Sequence, residues 1–319
     1  MHTLTDPELS AGLAGFEEAV GAITLDDIPA TRQFLTGLQA AMASQAPEIP
    51  GVLTSDHHAP GADGDPDVFV RVYQPEKRLD LLPALLWIHG GGYVLGDVAG
   101  DDLKAKSLAL SLNCVVASVE YRLAPENPFP APLDDCYAAL KWLAANTERF
   151  GIRENKIAIG GASAGGGLAA GLGLLARDRG EVDVCYQLLI YPMIDDTNTE
   201  QASETVPDAP LWTRANNLIG LRSYLGQEPG SKGISPYAAP SRAEDLSGLP
   251  PTYIGVGTPD LFRDEDIEYA QRLMKAGVPT ELHVYADGFH GFDGFAPESD
   301  AAQRFTGEQI KLLARALHQ

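Results

Sequence analysis

The chain has 319 residues, 45% of them hydrophobic and 21% charged, a balance that describes an ordinary globular protein able to bury a large core. Acidic residues outnumber basic ones 44 to 23, for a formal net charge of −21. Such a surface repels phosphate backbones and anionic lipid heads, so neither a nucleic acid nor a membrane is expected as a partner.

The elements follow in chain order. Asp6-Pro7 offers a helix N-cap followed by proline at the first helical position. A second helix is predicted after Pro29, with Phe34, Leu35, Leu38, Ala41 and Met42 at helical spacing. Val52 to His58 is a candidate extended segment. Val68, Val70 and Val72 alternate with Phe69, Arg71 and Tyr73 in another. From about residue 84 short apolar runs alternate with helical patterns: Ala84–Ile88, Val115–Val119, Ile157–Ile159, Tyr186–Ile190, Tyr253–Val256 and Leu282–Tyr285. Continuous apolar strands separated by helices predict an α/β fold with a mostly parallel sheet covered on both faces. One intervening helix opens at Pro132. Another carries Ile267, Ala270 and Met274 and stops at Gly277.

The connection between Tyr191-Pro192 and the strand near Tyr253 is too long for a simple crossover, and long connections in compact domains are usually functional. It is read as a cap insertion at about 195–245, packed with N-terminal cap helices over 1–48. The remainder, 49–319, is the expected catalytic domain. Cys114, Cys136 and Cys185 have neither metal nor disulfide spacing and read as buried free thiols. The N-terminal residues show no basic region followed by an apolar run, so no signal peptide is expected and the cytoplasm is the expected location.

Three motifs carry chemistry. Gly161-Ala162-Ser163-Ala164-Gly165 fits G-x-S-x-G, a weak pattern in a chain with 33 glycines. A plain glycine-rich turn opening a helix would look the same. Context strengthens it: Lys156 to Gly160 reads as a strand before it, and Leu168, Ala169, Leu172, Leu174 and Leu175 follow at helical spacing. The chain must turn sharply there to hold the serine hydroxyl clear of the sheet. There is no Gly-Lys-Ser/Thr, which excludes a phosphate-binding P-loop.

His89-Gly90-Gly91-Gly92 directly follows the strand ending at Ile88. Acyl transfer builds negative charge on a carbonyl oxygen, and backbone N–H groups aimed at that oxygen stabilise it by about 3 kcal/mol each. Gly91, Gly92 and Ala164 are the expected oxyanion donors. His89 is expected to brace the loop.

Of seven histidines, His290 in Asp287-Gly288-Phe289-His290-Gly291-Phe292 lies just past the last strand, where the chain order Ser, acid, His puts the base. His2 and His318 are terminal, His57 and His58 lie in an early edge strand, and His283 sits inside a strand pattern. The acid should follow the preceding strand. Asp260 in the turn Gly257-Thr258-Pro259-Asp260 is the first candidate and Asp264 the second, since carboxylates at a helix start also serve the helix dipole. An imidazole base predicts activity that falls as the pH drops through about 6–7.

These motifs, with Tyr121-Arg122-Leu123-Ala124-Pro125-Glu126 and Asp260-Leu261-Phe262-Arg263-Asp264-Glu265, resemble the hormone-sensitive-lipase-like carboxylesterases, bacterial family IV of the α/β-hydrolase superfamily. The similarity runs from about residue 67 to the C-terminus. It implies an eight-stranded sheet with a helical cap, no metal or cofactor, and hydrolysis of short- to medium-chain acyl esters through an acyl-enzyme, with Ser163, Asp260 and His290 in the catalytic roles. It leaves a homodimer open. Position 162 is alanine where many relatives have Asp or Thr, and Asp-Leu-Phe replaces the common Asp-Pro-Leu, a form similar to the branch with Thr in the elbow. Tyr93, Tyr191, Leu211, Trp212, Phe262 and Phe289 are the candidates for lining the substrate pocket. The triad leaves two alternatives open: a hydrolase of another acyl bond (amide, formamide or lactone), and a non-catalytic small-molecule receptor like the plant gibberellin receptors, which resemble this family without the catalytic histidine.

Overall fold

The computed structural model describes residues 6–45, 48–78, 80–198 and 211–319. Its elements run α1 (Pro7–Val20), α2 (Ile28–Gln45), β1 (Val52–Ala59), β2 (Val68–Pro75), β3 (Leu82–Ile88), α3 (Asp102–Ser111), β4 (Val115–Glu120), α4 (Ala131–Ala145), α5 (Thr147–Phe150), β5 (Ile152–Ala162), α6 (Ala164–Arg179), β6 (Tyr186–Ile190), α7 (Arg214–Leu225), β7 (Thr252–Gly257), α8 (Arg263–Lys275), β8 (Thr280–Tyr285), α9 (Phe292–Phe295) and α10 (Asp300–His318). The eight strands form one sheet in the order β1-β2-β4-β3-β5-β6-β7-β8. β2 is antiparallel to β1 and to β4, and from β4 to β8 all pairs are parallel. This is the α/β-hydrolase fold.

The apolar runs become central strands because both of their faces are covered. Ala84, Leu86 and Ile88 point into one core with α4 and α6, while Leu85 and Trp87 point into the other with α3 and α10. All seven residues of β3 are buried, as a strand without a wet face requires. β1, at the edge, is largely exposed and holds His57 and His58 as expected.

Local signals place the helix ends. Asp6 caps α1 by accepting from the N–H groups of Glu8 (2.8 Å) and Leu9 (3.1 Å), with Pro7 at the first helical position. Gly277 follows α8 in the left-handed region. Two amphipathic faces differ from the pattern. Met274 on α8 is 48% exposed, and the buried face carries Glu265, Asp266, Tyr269, Ala270 and Leu273. Phe34 on α2 is likewise exposed. In each case tertiary packing selected a face rotated from the one that hydropathy marks. Cys114 and Cys136 are buried free thiols, and Cys185 is half-buried. Among the described residues no helix is long and apolar enough to cross a membrane.

Register decides where the site can be. Ile88 pairs with Gly161, Ala162 with Ile190, Ile190 with Gly255, and Gly257 with Tyr285. The carboxyl ends of β3, β5, β6, β7 and β8 therefore fall on one edge of the sheet. The loops leaving them carry His89–Gly92, Ser163, Tyr191, Asp260 and His290, far apart in sequence and adjacent in space.

Candidate active site

Ser163 sits between β5 and α6 with φ 59° and ψ −124°, a strained conformation for a residue with a side chain. Its N–H donates to Ile190 O (2.9 Å), and its carbonyl accepts from Gly167 (2.9 Å) and Met193 (3.1 Å), which holds the turn in place. Close approach explains the flanking glycine: a Cβ at Gly165 would lie 2.2 Å from the carbonyl oxygen of Ile88 and 2.4 Å from that of His89.

His290 is 8% exposed and bridges the other two candidates. Its Nε2 is 2.9 Å from Ser163 Oγ, and its Nδ1 is 2.9 Å from Asp260 Oδ2. Asp260 is fully buried, and its Oδ1 accepts from Phe262 N at 2.9 Å. A carboxylate so held fixes Nδ1 as the protonated nitrogen and leaves Nε2 to accept from serine. The two loops are tied to each other: Thr258 N donates to Tyr285 O (2.8 Å), and Asp287 N donates to Thr258 Oγ1 (3.0 Å). Asp264, the second candidate, has a side chain 53% exposed and pairs with Arg263 instead.

The loop after β3 lies against this group. Gly91 and Gly92 have φ of 119° and 59°, and their N–H groups, with that of Ala164, donate to no acceptor among the described residues. His89 braces the loop: its ring stacks on Tyr121 (centroids 4.3 Å apart), and its Nδ1 lies 2.8 Å from Gly90 O. Tyr121 Oη in turn donates to His89 O (3.1 Å). The turn 121–126 is itself pinned, with Arg122 making a two-pronged pair with buried Asp135.

A family model described as alpha/beta hydrolase fold matches residues 85–294. Carboxylesterase NlhH of Mycobacterium tuberculosis is 37% identical over 301 residues, covering 92% of this chain and 94% of that one. The chain belongs to the hormone-sensitive-lipase-like carboxylesterases of the α/β-hydrolase superfamily. Two solved structures are close in shape. A bacterial heroin esterase aligns with a TM-score of 0.93 at 42% identity, covering 99% of each chain. An esterase of the archaeon Pyrobaculum calidifontis aligns with a TM-score of 0.86 at 34% identity, covering 99% of this chain and 98% of that one. The protein is a carboxylic ester hydrolase.

Around the central group, the esterase's candidate pocket residues are placed unequally. Tyr191 and Phe262 flank the His290 ring, with centroids 4.7 and 5.2 Å away. Tyr191 Oη donates to Asp293 Oδ1 (2.7 Å), and burial beside that carboxylate pushes the phenol far above its ordinary range. Tyr93 is buried, with its hydroxyl donating to Met193 O (2.7 Å) and its ring stacked on Tyr224. Phe289 is fully buried in the core beside Phe292. Trp212 rests on Gly92, and Leu211 is half-buried with φ 68°. Of the other histidines, His283 pairs with Glu308 (2.6 Å), His318 Nε2 lies 2.7 Å from Leu112 O, and His2 lies outside the described residues. Among the described residues no cluster of His, Cys, Asp and Glu is arranged to hold a metal.

Polar residues to which the motifs assign no role also support the site. Glu265 is buried and accepts from Ile194 N (2.8 Å), Asp195 N (3.0 Å) and Asn198 Nδ2 (2.6 Å), tying the start of α8 to the segment after β6. Burial pushes its carboxyl up, and the three donors pull the other way. Asn216 on α7 accepts from Leu25 N (3.1 Å) and donates to Ile23 O (2.8 Å). The adjacent Asn216-Asn217 pair inside a helical patch was the one visible signal, since buried amides in such a place need partners.

Proposed function

We propose that the chain hydrolyses short- to medium-chain acyl esters through Ser163, His290 and Asp260 by way of an acyl-enzyme. The observation that carries the reading is the position of His290, 2.9 Å from both the serine hydroxyl and the aspartate. His290 takes the proton of Ser163 as the hydroxyl attacks the ester carbonyl. Asp260 holds the imidazole tautomer and stabilises the imidazolium. The N–H groups of Gly91, Gly92 and Ala164 receive the oxyanion, each contributing about 3 kcal/mol to the transition state. Collapse expels the alcohol, protonated by His290. Water, activated by the same imidazole, then releases the acid and restores the serine. A cap made of the N-terminal helices α1 and α2 and of the segment at about 195–245, of which residues 199–210 lie outside the described residues, sets the acyl length accepted, and the ester reaches the site from water without a protein or membrane partner.

The test is turnover of p-nitrophenyl esters from acetate to dodecanoate by wild type and Ser163→Ala, with mass spectrometry after a fluorophosphonate probe. Turnover of the shorter esters, a loss of several orders of magnitude in the variant and a single adduct on Ser163 are expected. A Ser163→Ala protein that keeps its activity would refute the assignment. Preference for anilides over esters would move the reading to amide hydrolysis on the same residues.

A further inference from the structure

The loop expected to hold the oxyanion is gripped by Trp212, α7 and α2. Three consecutive residues are each held by a segment outside the sheet domain. A Cβ at Gly92 would fall 2.1 Å from Trp212 Cη2 and 2.6 Å from its Cζ2, so the indole occupies the space that a side chain there would need. On the same side, a Cβ at Gly220 of α7 would lie 2.9 Å from the Gly92 carbonyl oxygen. Tyr93 stacks on Tyr224 of α7, with centroids 3.9 Å apart and the planes 10° from parallel. Val94 O accepts from Arg32 Nε of α2 at 2.7 Å, and Arg32 Nη2 also donates to Ala124 O (2.6 Å), whose own N–H donates to Tyr93 O (3.0 Å).

These contacts are themselves anchored. Trp212 is 7% exposed, and its Nε1 donates to Asn217 Oδ1 (3.2 Å), while Asn217 Nδ2 donates to Asn198 O (3.1 Å). The indole is thus fixed at its N–H by Asn217 and lies with its far ring atoms against Gly92.

We infer that Trp212 is a positioning residue for the oxyanion loop, and that α7 and α2 set the geometry of its donors as well as covering the substrate. The inference rests on Gly91 and Gly92 being oxyanion donors. A glycine loop relaxes easily when unsupported, and a donor displaced by about 1 Å can cost about 10²-fold in rate. Acylation and deacylation both pass through an oxyanion, so the loss appears in kcat whichever step limits. It is also independent of the acyl chain, because the carbonyl oxygen is common to all substrates.

Trp212→Ala, Trp212→Phe and Gly220→Ala would be compared with wild type on p-nitrophenyl acetate, butyrate and hexanoate, alongside inhibition by an alkyl trifluoromethyl ketone, whose serine adduct carries an oxyanion. Gly220→Ala leaves the indole in place, retains a good helix residue and pushes the Gly92 carbonyl, so it tests the idea even if Trp212→Ala does not fold. For Trp212→Ala and Gly220→Ala the expected result is a kcat loss of about 10- to 100-fold, equal across the three esters. KM should stay within about threefold, and the ketone should weaken by the same factor as kcat. Trp212→Phe lacks both the far ring atoms that meet Gly92 and the Nε1–H that meets Asn217, so it should lose nearly as much as Trp212→Ala. A loss that depends on acyl length, or that lies in KM alone, would overturn the inference and make Trp212 a pocket wall. If wild type is not inhibited by the ketone, or Ser163→Ala remains active, the proposed mechanism fails and the inference falls with it. If those controls behave and the two cap substitutions leave kcat intact, the inference alone fails.

Discussion

Replacing Asp260 by asparagine separates the role of the carboxylate from its shape. Asp260 makes two hydrogen bonds with different demands. Its Oδ1 accepts from Phe262 N (2.9 Å), and its Oδ2 meets His290 Nδ1 (2.9 Å). An asparagine that keeps its carbonyl toward Phe262 turns its amide N–H₂ toward Nδ1. Nδ1 must then accept, the ring proton moves to Nε2, and Nε2 cannot take the proton of Ser163. The flipped amide restores the tautomer but sets N–H against the Phe262 N–H in a fully buried place, costing about 1–3 kcal/mol. In both orientations the negative charge that stabilises the imidazolium is gone. The combined loss should be about 10³- to 10⁴-fold in kcat, which is about 4–5.5 kcal/mol of transition-state stabilisation. The assay is steady-state hydrolysis of p-nitrophenyl butyrate, with circular dichroism to establish that the variant folds. Asp264→Asn is the comparison: its side chain is half exposed and pairs with Arg263, so a change of less than about threefold is expected. A loss under tenfold in Asp260→Asn, or a larger loss in Asp264→Asn, would refute the assignment of the acid.

Three further outcomes follow from buried groups. Asp266 is fully buried, neither carboxyl oxygen has a partner among the described residues, and burial next to Glu265 and Asp260 raises it well above its ordinary 3.8. A raised folded value means the contribution to stability is complete below 3.8 and is lost as the pH rises and the unfolded chain ionises first. The Tm advantage of Asp266→Asn over wild type should therefore grow from pH 4 to pH 8, and a difference that is flat with pH would contradict this account. Gly165→Ala forces a Cβ against two carbonyl oxygens of the neighbouring strand and loop, so a loss of at least about 3 kcal/mol or insoluble expression is expected, read by thermal melting. Asn216→Ala leaves Leu25 N and Ile23 O without their partners, a cost of about 2–4 kcal/mol; limited proteolysis should then cut near residue 25 at a protein concentration where wild type resists.

Much of the framework was readable from residues alone because local physics specifies it. Continuous apolar runs must become strands buried on both faces, Asp6-Pro7 must open a helix, and a strand–Gly-x-Ser-x-Gly–helix sequence must turn sharply with its serine at the turn. The choice of His290 over six other histidines and of Asp260 over Asp264 also followed from order and position along the chain; in the fold His290 lies 2.9 Å from both Ser163 Oγ and Asp260 Oδ2. What the sequence did not contain was the face each helix would bury, where Met274 and Phe34 marked one side and packing chose another. It also did not contain the purpose of Asn216, Glu265 or Arg32, because a polar side chain shows no partner until distant backbone is brought to it. The placement of Trp212 on Gly92 joins residues 120 positions apart, and no periodicity or motif spans such a gap. Local propensity and burial are functions of neighbours in the chain, whereas the support of the oxyanion loop depends on neighbours in space, and only the folded structure supplies those.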